Sequence, residues 1–493
     1  MKRLQLLILI ILGLSPTPAT VRAHELELTL DDAIVMARTR SVGSAVALDQ
    51  LRTAYWEWRT YRADRLPEIS LTATAPSYSD AYSSYMNELG DYSFVRSHTL
   101  DASMQLSVTQ NIPLTGGTVR LTSSLDFLHQ YGSNGPANRF MTIPVALSLS
   151  QPIFGVNTLK WRGRIEPVKY AEAKAEFMSA TEDVALQTVN LYFNLILSRE
   201  NLSIAEQNLE NARKLYTVAQ EKRKMGKISN NDLLQMELNV LDADGELTQC
   251  RSALKASMFS LRSHLGLDED AEIVPVVPAA VPVAHISYDH ALAQALANNK
   301  FAHNIRRRQL EADYEVAKAK GDMRQINLFA QIGYTGTDTS LGDAYSRLRG
   351  NQLVEVGFSI PLVDWGKRKG KVKVAESNRR VTESRLRQES MDFNQELYVL
   401  VERFCNQRQQ LDLAMRANEI ARRRYDTNVQ TYLIGAISTL DLNDSQQRKD
   451  ESMRAYINEL YLFWNYWYQI RSVTLYDYQS QTLIDNDVAR YIQ

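Results

Sequence analysis

Two short polar segments of the sequence nearly repeat each other, and their side chains are the first candidates for a functional site. The segment MGKISNNDLL occupies residues 225–234, and IGAISTLDLN occupies residues 434–443. Four residue types recur in the two segments, and the distance along the chain between the two copies is the same for each. Gly226, Ile228, Ser229 and Asp232 of the first segment match Gly435, Ile437, Ser438 and Asp441 of the second. Glycine, serine and aspartate are typical of turns and helix N-caps. The chemistry open to these groups is hydrogen bonding and attraction of cations.

Catalytic chemistry finds little support in the rest of the chain. The seven histidines show no metal-binding spacing such as His-Glu-x-x-His. A phosphate-binding loop and a Gly-x-Ser-x-Gly nucleophile motif are also missing from the sequence. We therefore predict no catalytic residues, no cofactor and no metal site.

Charge and targeting signals narrow the class of protein further. The 56 Lys and Arg residues nearly balance the 57 Asp and Glu residues, so a nucleic-acid partner is not expected. The N-terminus has Lys2 and Arg3, then an apolar run, then small residues near Ala23. This order predicts a secretory signal peptide over residues 1–23.

Long proline-free blocks predict two helical hairpins, at 168–265 and 368–475. Leu195, Leu202, Leu209 and Tyr216 recur every seven residues in the first block, as in a coiled-coil seam. Helices of this length need neighbours along their whole length. The periodicity alone is equally compatible with an antiparallel coiled coil that forms a simple rod.

The chain is predicted to be a tandem duplication. The first repeat covers 24–274, a Pro-rich linker covers 275–284, the second repeat covers 285–475 and a tail covers 476–493. Both repeats begin with a predicted short helix, and further matches include VKYAE at 168–172 with VKVAE at 372–376. A period of more than 200 residues indicates a duplicated domain rather than a solenoid.

Six segments alternate between apolar and polar residues, four of them within about 66–154 and two within about 325–362. Their length and their small polar side chains are typical of outer-membrane strands that line a wet lumen. A half-buried sheet of a soluble protein would show the same alternation. We predict polar loops at 77–100, 128–140 and 337–351, and a fourth strand that starts only at Val145 because Pro144 lacks an amide donor.

Signal peptide, duplication, alternating strands, heptad helices and the doubled Gly-x-x-Ser-x-x-Asp-Leu segment together resemble the TolC-like outer membrane efflux protein family. The resemblance implies an α+β membrane protein. Its trimeric β-barrel in the outer membrane would continue into a long periplasmic α-helical barrel, with two repeats per chain. It also implies an exit duct that works with a periplasmic adaptor protein and an inner-membrane transporter, in contact with outer-membrane lipid.

The resemblance assigns roles to the repeated segments. Gly226, Ile228, Ser229, Gly435, Ile437 and Ser438 would form the helix-tip turns where the adaptor docks. Asp441 and Asp444 would form carboxylate rings of a periplasmic gate, with Tyr432 and Asp232 in the constraining network. Ile437 replaces an arginine of the family prototype, so its salt bridge to Asp232 is missing. Taken alone, Asp232 and Asp441 would be turn or cap residues.

Two questions stay open at the level of sequence. Residues 101–129 form either an extra hairpin in a wider barrel, giving 18 strands per trimer rather than 12, or a decoration outside it. The rival functions are a periplasmic rod or adaptor without a pore, and a self-contained porin. The substrate and the identity of the pump are not encoded in recognisable residues.

Overall fold

The computed structural model describes most of the chain: residues 25–86, 92–131, 137–268, 271–283, 285–324, 326–358, 364–433, 436–437 and 439–484. The predicted signal peptide lies outside the described residues. The chain divides into two compact units. The tip unit comprises the described residues of Met1–Asp49, Phe177–Asn298 and Gln395–Asp487. The sheet unit comprises the described residues of Gln50–Glu176 and Asn299–Asn394.

The first half of the chain contains short elements, four strands and a long helical hairpin. Its elements are β1 (Glu25–Leu28), α1 (Leu30–Arg40), α2 (Val42–Ala63), β2 (Glu68–Met86), β3 (Tyr92–Asn111), β4 (Thr118–Gln130), β5 (Ala137–Ile153), α3 (Thr158–Lys224), α4 (Asn230–Leu265) and β6 (Glu272–Pro275).

The second half repeats this plan with two long strands and two short ones. Its elements are α5 (Tyr288–Asn298), α6 (Lys300–Asp322), β7 (Ile326–Asp338), α7 (Leu341–Ser346), β8 (Arg349–Phe358), α8 (Lys367–Leu433), α9 (Thr439–Thr474), β9 (Tyr476–Asp477) and β10 (Thr482–Leu483). The duplication is visible in the helix lengths, since α3 and α8 each have 67 residues and α4 and α9 each have 36. Within the described residues, the helices lack any segment long and apolar enough to cross a lipid bilayer.

The first long helix starts earlier than predicted. We expected it to begin at residue 168, after Pro167, but α3 begins at Thr158 and contains Pro167. A proline inside a helix leaves the carbonyl four residues earlier without its amide donor. Here that carbonyl belongs to Gly163, and both Gly163 and Pro167 are exposed, so water can replace the lost donor.

The heptad seam predicted on α3 is the core of the first hairpin. Leu209 and Ala205 on α3 pack with Leu247 on α4 in a buried cluster. Nearer the N-terminus of α3, the side chain of Tyr192 is buried. Its hydroxyl lies 2.8 Å from the carbonyl oxygen of Leu28 and 2.6 Å from that of Val276. This one side chain ties α3 to the parallel pair of β1 and β6 and to the start of the Pro-rich segment.

The six longer strands form one antiparallel sheet in the order β2-β3-β4-β5-β7-β8. The segment 101–129 is therefore part of the sheet. The polar loops were predicted too long, since β2 continues to Met86, β3 starts at Tyr92 and α7 occupies part of 337–351. Serine, tyrosine and threonine in these segments are compatible with strands when a neighbouring strand pairs with them.

The predicted start of the fourth strand at Val145 is also wrong. The strand β5 runs through Pro144 from Ala137. Its pairing shifts register between Thr122 and Ser124 of β4 and between Thr142 and Val145 against β7. Pro144 lies within this irregularity, where the ladder needs no amide donor from it.

Candidate functional site

The first helix tip joins α3 to α4 through residues 225–229. Gly226 has a backbone φ of 71°, in the left-handed region that favours glycine. The amide of Gly226 donates to the carbonyl of Arg223 at 2.9 Å, and the amide of Lys227 donates to that of Lys222 at 2.9 Å. These two bonds define a Schellman motif, which satisfies the last carbonyls of α3.

The returning helix α4 is capped by the two polar residues of the repeated segment. The hydroxyl of Ser229 accepts from the amide of Asp232 at 3.0 Å, and the Asp232 carboxylate accepts from the amide of Ser229 at 2.9 Å. This reciprocal pair is a capping box. Hydrogen bonds from the Ser229 hydroxyl and amide hold the pKa of Asp232 below its usual value. In this structure Asp232 acts as a helix cap, as its type and position alone would suggest.

The second tip is described only in part. The helix α8 ends at Leu433 and α9 begins at Thr439. Gly435 and Ser438 lie outside the described residues, as does the side chain of Tyr432. Ile437 is half-buried in a bend, and the amide of Ala436 donates to the carbonyl of Thr431 at 3.1 Å.

The two gate carboxylates lie near the start of α9. Asp441 is in the first turn, Asp444 follows one turn later, and both are exposed. The helix N-terminus carries a partial positive charge that favours carboxylates there. Asp444 makes an ion pair with Arg424 of α8, with 2.8 Å between Oδ2 and the guanidinium nitrogen.

Arg424 is a site residue that the sequence-based prediction missed. It lies ten residues before position 434 and Asp444 lies ten after it. Two antiparallel helices joined by a turn place such equidistant residues side by side, so the symmetry about the turn was the available signal. The Arg424 guanidinium offsets the charge of Asp444. The net negative charge of the candidate gate is therefore smaller than its number of carboxylates suggests.

The two hairpins of the tip unit meet along a row of polar side chains between α3 and α9. Near the tip, the side-chain amide of Asn211 donates to Oε1 of Gln446 at 2.7 Å. The side-chain amide of Gln446 in turn donates to Oδ1 of Asn208 at 2.9 Å. Farther along, Arg454 donates to Asn201 at 2.9 Å and Asn465 donates to Asn190 at 2.8 Å.

A polar cleft of about 390 Å³ opens beside this row, lined by Asn211, Gln446 and Asp450 among others. Asp450 is only 5% exposed, and its Oδ1 makes no hydrogen bond. The Lys449 ammonium, 3.3 Å from Oδ1, supplies the counter-charge. Side-chain hydrogen bonds therefore join the two hairpins near the tips.

Comparisons with known proteins agree with this fold. A family model described as outer membrane efflux protein matches residues 44–267 and 291–474. No curated protein sequence matches the chain significantly.

Three solved structures illustrate the likeness. The Campylobacter jejuni CmeC outer membrane channel is similar at a TM-score of 0.65 and 16% identity, over 94% of this chain and 88% of that one. The outer membrane protein VceC of Vibrio cholerae is similar at 0.59 and 14%, over 90% and 95%. The open state of the Neisseria gonorrhoeae MtrE outer membrane channel is similar at 0.58 and 13%, over 93% of each chain.

These matches confirm the fold class predicted from sequence, a trimeric channel with a β-barrel and a helical barrel built from two repeats per chain. Because the family model covers most of both repeats, the chain belongs to the outer membrane efflux protein family and is an outer-membrane efflux channel, not an enzyme.

Proposed function

We propose that this channel is a passive exit duct whose periplasmic end is closed by the two helix tips of each protomer. Family members are homotrimers that work with a periplasmic adaptor and an inner-membrane pump. The repeats at 24–274 and 285–475 would each supply one tip to a ring of six. The observation that carries the proposal is the pair of carboxylates, Asp441 and Asp444, at the start of the returning helix α9.

In this proposal the carboxylates face the passage and favour cations. Threefold symmetry would bring three copies of each carboxylate around one axis, where they attract multivalent cations and repel one another. The Arg424 pair offsets part of this charge. Tyr432 contributes to the constriction, while Asp232 mainly holds its own turn through the capping box. With Ile437 in place of the family arginine, the closed state depends on other contacts.

The outer surface of the tips is the proposed docking site for the adaptor. It comprises the turn residues Gly226, Ile228, Ser229, Gly435, Ile437 and Ser438. The apolar face of the sheet would contact outer-membrane lipid, and the balanced charge of the chain argues against a nucleic-acid partner. Small molecules and secreted polypeptides both remain candidate cargoes, since the inner-membrane transporter selects what enters.

The gate can be tested by cation block of single channels in planar lipid bilayers, with hexaamminecobalt(III) as the probe. The double variant D441A/D444A removes two carboxylates per protomer, so we expect the blocking concentration to rise about tenfold or more. Arg424→Gln releases Asp444 from its counter-charge, so we expect block at several-fold lower concentration.

Arg423→Gln is the matched control. It removes the same charge one position away, where the guanidinium pairs with Glu419 on the same helix. We expect the blocking concentration for R423Q to stay close to that of the unmodified channel. Unchanged block in D441A/D444A would remove both carboxylates from the gate, and an equal shift in R423Q and R424Q would remove the specific role of the Arg424 pair.

A further inference from the structure

All six strands of the sheet are long enough to cross the outer membrane. β2, β3, β4, β5, β7 and β8 have 19, 20, 13, 17, 13 and 10 residues. A tilted membrane strand needs about 9 to 11 residues. The strands β3 and β4 are therefore at least as long as β7 and β8, which a barrel with fewer strands would retain.

The β3–β4 hairpin is built into the sheet on both sides. β3 pairs with β2 from Glu68 opposite Thr109, and with β4 from Asn111 opposite Thr118. β4 in turn pairs with β5 from Thr118 opposite Ser150. A hairpin that folded outside the barrel wall would leave these ladders unmade and would expose backbone amides and carbonyls to lipid.

In the part of the sheet whose side chains are described, from β2 to β7, one face is mainly apolar and the other mainly polar. The register places Met104, Leu121, Leu147 and Ile332 on the same apolar face, where each is 42–55% exposed. On the opposite face Ser107, Ser124 and Ala146 are 5–9% exposed, although they are small. Side chains are more crowded on the concave side of a curved sheet. The low exposure of these side chains is what the concave, polar face of a barrel wall around a wet lumen would show.

The two edges of the sheet are complementary. Among the described strands, β2 and β8 each have a partner on one side only. All neighbouring strands are antiparallel, so β2 and β8, the first and the sixth, run in opposite directions. An edge strand cannot remain unpaired in lipid. A second copy of the chain in the same orientation would supply an antiparallel partner at each edge.

We propose that β8 of each protomer pairs with β2 of the next, so that the trimer closes an 18-stranded barrel to which every protomer contributes six strands. This inference rests on the trimeric channel described above. A barrel of 12 strands would require two strands of each protomer to leave the sheet, although all six are paired within it.

The barrel would be wide. With strands about 4.8 Å apart and tilted by about 40°, 18 strands give a backbone diameter of roughly 35 Å, against roughly 24 Å for 12 strands. Barrels of 16–18 strands leave an aqueous channel. An α-helix with its side chains is about 10–12 Å across, so the outer-membrane segment would let a helical or unfolded polypeptide through. The size limit on cargo would then lie elsewhere in the duct.

Cryo-electron microscopy of the purified channel in lipid nanodiscs tests the inference directly. We expect a threefold-symmetric barrel of 18 strands with a backbone diameter near 35 Å. A trimer with a 12-stranded barrel would overturn the inference and leave the channel function intact. A particle that is not a trimer, by image symmetry and by mass, would overturn both.

Disulfide cross-linking in cells tests the closing pair of strands, in a background with Cys250 and Cys405 replaced by serine. Thr72→Cys on β2 is combined in turn with Cys at Leu353, Glu355 or Gly357 on β8, to allow for the unknown stagger. We expect covalent dimers and trimers for at least one pair, since adjacent strands bring Cα atoms within disulfide reach.

The matched control places the cysteine at Thr122 of β4, with the same three β8 positions. In an 18-stranded barrel β4 lies about 14 Å from the neighbouring β8, too far for a disulfide. Cross-linking through Thr122 but not through Thr72 would show closure at β4 and overturn the inference.

Discussion

At the scale of single residues, the tip unit contains a histidine that responds to pH. His264 is half-buried near the end of α4, with Nε2 2.9 Å from the hydroxyl of Thr188 on α3. Burial lowers its pKa below the usual value, and a hydrogen bond to the Val184 carbonyl opposes this only in part. The folded tip unit therefore prefers the neutral imidazole.

The sign of the pH effect follows from that preference. Above about pH 6.5 the imidazole is neutral in both folded and unfolded chains, and its contribution to stability is complete. As the pH falls below 6.5, the unfolded chain binds a proton that the folded chain resists, so stability is lost. We expect His264→Gln to flatten the dependence of the unfolding temperature on pH between 7.5 and 5.0, measured in detergent. His303→Gln is the control, and equal pH slopes in the unmodified protein and H264Q would contradict the assignment.

At the scale of elements, the helix tips depend on backbone conformation as much as on side chains. Gly226 adopts its left-handed conformation in open space, since an added Cβ would meet nothing within 4 Å. Gly245 lies in the middle of α4 with equally open surroundings. The two glycines have equally open surroundings but different backbone conformations, which makes them a matched pair.

Alanine should have opposite effects at these two positions. Gly226→Ala forces a non-glycine residue into the left-handed region, at a cost of about 1–2 kcal/mol. Gly245→Ala should stabilise α4 by about 1 kcal/mol, because alanine has the higher helix propensity. Hydrogen exchange measured by mass spectrometry over residues 220–245 should become faster in G226A and slower in G245A. Slower exchange in G226A would contradict the described turn.

At the scale of the whole molecule, a single chain leaves surfaces that only other molecules can cover. The outward face of the sheet exposes large apolar side chains, including Ile69 at 71% and Leu71 at 64%. Isolated exposed apolar residues are common, but an apolar face that extends from β2 to β7 indicates lipid. We have proposed that copies of the chain cover the edges of the same sheet and that the adaptor docks at the tips.

Adaptor docking at the tips can be tested in the assembled channel by site-specific photo-crosslinking. We expect p-benzoylphenylalanine at the exposed position Lys227 to give an adduct that mass spectrometry identifies as a periplasmic adaptor. Leu241 is the control position, exposed on α4 but about 17 Å from its start. Absence of an adaptor adduct at Lys227, or equal labelling at Leu241, would contradict docking at the tip.

The sequence alone determined the features that depend on local pattern. The duplicated helical hairpins, the alternating strands and the glycine and serine of the first turn follow from periodicity and from the conformational limits of each residue type. The capping roles of Ser229 and Asp232 follow from type and spacing in the same way. Strand limits were less well predicted, because Tyr, Ser and Thr near β2 and β3 look like a loop until cross-strand neighbours are known.

Only the tertiary structure decided which distant residues meet. The pairing of β5 with β7 joins the two repeats in one sheet, and the two-sided pairing of β3 and β4 places that hairpin inside the sheet. The contact of Asn211 with Gln446 is likewise set by how the helices of different hairpins pack. Strand pairing and helix packing depend on the fit between faces that are far apart in the chain. The periodicity of one segment is compatible with several partners, so it does not select which one the segment contacts.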